Sequence, residues 1–127
     1  MDTRTKIIPY RDVPSLLGTE EWTAAVGTFD PLTAKQASRL ADFKRTGRKL
    51  LVVVLDEEGS LLRSEARAAL VAALRDVDAV IVVRADQLSN LSRNRQLTVV
   101  LDFEGEKLRT AEFVQFVLRR HGLMQES

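Results

Sequence analysis

Residues 27–36, "GTFDPLTAKQ", are the stretch whose reading decides the fold. A glycine, an aromatic, an aspartate and a proline lead into a helix start, the way loops that handle phosphates are often built. Just before it, "WTAAVG" (Trp22–Gly27) reads as a strand, on its position more than on its propensities. Just after it, Ala34, Ala37, Leu40 and Ala41 make an apolar stripe at helical spacing. Thr33 then falls at the N-cap, with no base beside it that could make it a nucleophile. Gln36 can form hydrogen bonds but cannot carry charge or relay a proton, and Lys35 between them offers a fixed positive charge.

Outward from this junction the same alternation continues. "LLVVVL" (Leu50–Leu55) and "AVIVV" (Ala79–Val83) are short, continuously apolar and β-branched, as strands buried on both faces are. "LTVVLDF" (Leu97–Phe103) reads as another strand. Leu62, Ala66, Ala69, Leu70, Ala73, Leu74 and Val77 recur at helical spacing, with the arginines outward and Ser64 as N-cap. Arg75 and Asp78 are expected to pair where that helix meets the next strand. Residues 84–95, "RADQLSNLSRNR", read as irregular or a short helix with solvated arginines. Leu108, Ala111, Val114, Val117 and Leu118 predict a last helix, ended by His121-Gly122. Strands and helices that alternate in this way build βαβ units. The expectation is one α/β, Rossmann-like domain over residues 1–127, its parallel sheet of about five strands covered on both faces. Ligands of such sheets sit beyond the carboxyl ends of the strands, which places Gly27–Gln36 and Asp56 at the relevant edge.

Composition narrows the function classes. Net charge is +1, so neither a nucleic-acid-binding field nor an acidic tail is present. Cysteine is absent, which excludes disulfides and thiolate metal sites and suits a reducing cytoplasm. No apolar run approaches a membrane span, and the first residues lack the apolar core of a signal peptide. A cytoplasmic protein without nucleic-acid or membrane partners is expected.

Three segments together resemble the cytidylyltransferase-like nucleotidyltransferases, a group with glycerol-phosphate cytidylyltransferases and the adenylyltransferase half of ADP-heptose synthases. Gly27-x-Phe29-Asp30 is similar to the family's G-x-F-D after its first strand. "TGRKLLVVVLD" resembles its second strand, and "EARAALVAALRDVDAVIVV" its E-x-R helix and following strand. The resemblance covers roughly residues 5 to 83 and implies the Rossmann-like fold, a homodimer, and CTP or ATP with Mg²⁺ as ligands of an active member. It also implies nucleotide contacts for Gly27, Phe29, Asp30, Arg67 and, by a fainter echo of the I-S-T-T motif, Thr110. Two further candidates rest on their own chemistry: Lys35, as a charge in place of a histidine or as a solvated helix residue, and Asp56, at the carboxyl end of a strand.

The departures from the pattern lie where the family does its chemistry. Its H-x-G-H places two imidazoles one turn apart at a helix N-terminus, against the charge that grows on the α-phosphate. The corresponding positions are Thr33-Ala34-Lys35-Gln36, and the sole histidine of the chain, His121, stands far along the sequence. The basic loop after the second strand is shortened to Asp56–Ser60. Each remaining residue also has a plainer role available: Asp30-Pro31 shaping a turn, Phe29 filling core, Arg67 solvated on a helix, Asp56 starting a turn. The leading expectation is a catalytically degenerate member that binds a ligand or a partner, with no catalytic residue assigned. The alternative is an active nucleotidyltransferase that joins CTP or ATP to a phosphorylated small molecule and releases pyrophosphate.

Overall fold

The computed structural model describes residues 3–30, 32–45, 47–56 and 62–101, the side chain of residue 101 excepted. Two 3₁₀ turns, Thr3–Lys6 and Tyr10–Asp12, lead into a short helix, α1 (Val13–Leu17). There follow β1 (Trp22–Gly27), α2 (Ala34–Lys44), β2 (Lys49–Leu55), α3 (Ser64–Ala72), β3 (Ala79–Val83), α4 (Ala85–Leu91) and β4 (Leu97–Leu101). The alternation read from the sequence is the one observed, including the strand at Trp22–Gly27. Four strands are described, against about five expected. Asp102-Phe103, Thr110 and the helix predicted over Leu108–Leu118 lie outside the described residues.

All three strand pairings are parallel, and the spatial order is β3-β2-β1-β4. Trp22 stands opposite Lys49 on one side and Leu97 on the other, so β1 is central. The first two crossovers step away from β1, and the third returns past β2 and β1 to reach its far side. Alternate residues of each strand feed two cores. Trp22, Ala24 and Val26 join Leu51, Val53 and Ile81 under Val13, Leu17, Leu88 and Leu91 of α1 and α4. Ala25, Leu50, Val52 and Val54 pack under Leu40, Ala68, Val71 and Ala72 of α2 and α3. Burial on both faces is why these strands are uninterrupted apolar runs instead of alternating ones. The reversal of direction between β1 and β4 is the switch point at which folds of this kind open a crevice.

Three local expectations are corrected. Ser64 is the first residue of α3 and Arg63 occupies the cap, with no side-chain cap hydrogen bond. The arginines of that helix do not all face outward, because Arg67 is 1% exposed. Asp78 pairs with Lys44 (2.6 Å) and also accepts from the Leu50 amide (2.7 Å), so it joins the end of α2 to the start of β2 instead of meeting Arg75. Residues 85–91 form a short helix, α4, one of the two readings the sequence offered there, and its Leu88, Ser89 and Leu91 are buried. Among the described residues no helix is long and apolar enough to cross a membrane.

Candidate functional site

The carboxyl ends of β1 and β2 gather most of the residues singled out in the sequence. Gly27, the last residue of β1, is buried and in register with Val54. Two residues on, Phe29 has φ of 52°, a left-handed conformation that a bulky residue adopts at a cost of about 1–3 kcal/mol. Its side chain is fully buried in the core beneath α2 and α3, which offsets that strain. The sharp turn lets the chain leave the sheet and enter α2 within a few residues. Asp30 Oδ1 accepts from the Leu62 amide at 2.8 Å, fastening this turn to the segment that enters α3.

At the start of α2, Thr33 is the N-cap, as its position predicted. Its hydroxyl accepts from the Gln36 amide at 3.1 Å, and Gln36 Oε1 accepts from the Thr33 amide at 3.2 Å. This is a reciprocal capping box, and it satisfies two N–H groups that a helix start otherwise leaves open. The role of Gln36 was missed in the sequence, although Thr-x-x-Gln ahead of an apolar stripe is the signature of this motif. Gln36 is 1% exposed, so its carboxamide belongs to the interior. Lys35 lies between the two on the exposed first turn.

Arg67 is the largest of the fully buried side chains among the described residues. Its Nη1 donates to Thr28 O at 2.8 Å and Leu55 O at 2.9 Å, and its Nε to Leu62 O at 3.2 Å. One guanidinium thus clamps the carbonyls that end β1 and β2 together with the entry to α3. A buried cation is tolerable when its donors are used in this way. Among the described residues Asp56 is the carboxylate that pairs with it, 3.8 Å from Nη2 and half exposed. The Asp56 amide donates to Val83 O at 2.7 Å, extending the β2–β3 ladder by one bond.

The edge therefore brings together Gly27, Phe29, Asp30, Thr33, Lys35, Gln36, Asp56 and Arg67. It presents Lys35 and Asp56 on the outside, while Phe29, Gln36 and Arg67 point into the protein. Among the described residues no three His, Cys, Asp or Glu side chains group as a metal set.

No family model matches the chain, and no curated protein matches it either. Among solved structures it is similar to the lipopolysaccharide core biosynthesis protein from Thermoplasma volcanium GSS1, with a TM-score of 0.59 and 21% sequence identity. That match covers 79% of this chain and 88% of the other. At such identity the likeness is one of fold, and it agrees with the Rossmann-like α/β architecture built up here strand by strand.

Proposed function

We propose that this chain is a nucleotidyltransferase-fold protein, cytidylyltransferase-like in origin, that has given up catalysis and serves as a ligand-binding or interaction module. The observation that carries this reading is the capping box. The two positions that would hold imidazoles toward a nucleotide hold Thr33 and Gln36, and these side chains serve the backbone of their own helix. Loss of one electrostatic stabiliser of a transition state costs about 10²–10³ in rate, so loss of two leaves little turnover without substitutes. Arg67 is committed to three carbonyls, which removes it from the pool of easy substitutes. The fold alone does not restore an activity, because activity belongs to the site. A homodimer and a cytoplasmic location complete the proposal.

Lys35 favours a second reading, an active nucleotidyltransferase. It lies exposed on the first turn of α2, and the N-terminal turn of a helix is where phosphates are commonly bound. In that reading Lys35 holds the phosphates of CTP or ATP, Mg²⁺ accompanies them, and a phosphorylated small molecule displaces pyrophosphate.

A titration with CTP and ATP in the presence of Mg²⁺, combined with pyrophosphate release over a panel of sugar and polyol phosphates, separates the two. Saturable binding without release is the expected result. Release that disappears in Lys35→Ala overturns the proposal in favour of the enzyme.

A further inference from the structure

On the opposite face of the sheet from α2 and α3, a pocket of about 190 Å³ lies between the start of α1 and the end of α4. Val13 and Leu91, both almost fully buried, belong to the core on that face, and Pro14 and the Tyr10 ring complete the apolar part of the wall. The Tyr10 hydroxyl donates to Gln87 O at 3.3 Å, which holds the ring against α4. Arg11, Asn90 and Asn94 supply the polar part of the lining.

These polar groups are biased toward donation. Asn94 Oδ1 already accepts from the Gln96 amide at 2.9 Å, so the group that Asn94 has left to offer is its NH₂. The Asn90 and Leu91 carbonyls at the end of α4 are taken by the Arg93 and Asn94 amides, at 3.3 and 3.0 Å. No lining residue is a carboxylate. Among the described residues Arg11 has no ion-pair partner, so a full positive charge stands at the rim of an apolar hollow. The volume is below the roughly 300–1,000 Å³ of pockets for drug-sized ligands, which limits an occupant to a compact molecule.

We propose that this pocket binds a small organic anion, one carboxylate or phosphate head on a compact apolar body. The head meets Arg11 and the Asn94 amide, and the body lies on Tyr10, Val13, Pro14 and Leu91. The site is independent of the nucleotide edge, being built on the other core of the sheet.

The test is an amide NMR titration of the whole chain at low salt with benzoate and with phenyl phosphate, which separates the two possible heads. Benzyl alcohol supplies the body without charge, and inorganic phosphate the charge without a body. Saturable shifts at Tyr10, Val13, Leu91 and Asn94 with at least one of the aryl anions are expected. Both controls should bind at least about tenfold more weakly, since the head forms charge-assisted hydrogen bonds. Arg11→Gln, at an exposed position, should weaken the aryl anion about tenfold, while Arg63→Gln, an equal loss of surface charge elsewhere, leaves it within about twofold. Absence of saturable shifts at the pocket overturns the proposal, as does equal binding of benzyl alcohol or of inorganic phosphate. Unchanged affinity in Arg11→Gln, or an equal loss in Arg63→Gln, overturns it as well.

Discussion

Replacement of Arg67 by methionine keeps much of the side-chain length and removes every donor. Three carbonyls, of Thr28, Leu55 and Leu62, then lose the donors that Arg67 supplies. A hydrogen bond from a charged group contributes about 1.5–3 kcal/mol, so the two short ones together account for about 3–6 kcal/mol. The longer bond to Leu62 adds less, and freedom from burying a cation returns part of the loss. The net expectation is a destabilisation of about 3–5 kcal/mol, the scale for breaking a buried charged cluster. Urea denaturation followed by tryptophan fluorescence reads it directly, because Trp22 is the sole tryptophan and is 3% exposed in the core. With a urea dependence of about 1–3 kcal/mol per molar, the midpoint should fall by about 2 M. Arg67→Lys, which can still reach one or two of the carbonyls, should lose less. A stability change below about 1 kcal/mol together with weakened nucleotide binding would refute the reasoning, since Arg67 would then be acting on a ligand and not on the ends of two strands.

Other perturbations address the same edge and its surroundings. Thr33→Ala removes the cap and should cost about 1 kcal/mol in urea denaturation, whereas Thr33→Asp, another good cap, should stay close to the parent. Phe29→Ala should cost about 3–5 kcal/mol for the emptied core. Phe29→Gly should prove no worse than the alanine variant, against the usual order, because glycine accepts φ of 52° without strain; a markedly less stable glycine variant in thermal melts would contradict the strained turn. The Arg84 guanidinium beside Asp86 holds that carboxyl below its ordinary range. A carboxyl depressed in the folded state stabilises above its unfolded pKa, and that contribution fades as the pH falls through the lower folded value. NMR titration of Arg84→Gln should show the Asp86 transition moving up in pH.

The parts of this fold legible in the sequence were those set by local pattern. Leu50–Leu55 and Ala79–Val83 announce buried strands by composition alone, and the glycine and aspartate around Phe29 announce the turn into α2. Arg67 was opaque for a physical reason: an arginine in an amphipathic helix is ordinarily solvated, and only the assembled sheet reveals three strand-end carbonyls within its reach. The partner of Asp78 was misjudged for a related reason. Arg75 is close in sequence, but the crossover between α2 and β2 brings Lys44 alongside instead. Gln36 is legible in the sequence, because Thr33-x-x-Gln36 ahead of an apolar stripe is an ordinary capping signature. The pocket beside Arg11 had no sequence signal, since its walls come from segments separated by most of the domain.

The central place of β1 bears on how the chain is made. Its pairing with β2 joins Trp22 to Lys49 and is available early in synthesis, whereas its other edge waits for Leu97. Throughout that interval the nascent protein carries an open, apolar strand edge beside a half-covered sheet, the kind of surface that recruits other chains. Translation that pauses or stops between β3 and β4 should therefore yield an aggregation-prone product despite three finished strands. The last described strand acts as a seal, and soluble yield from staged truncations should rise abruptly once residues 97–101 are included.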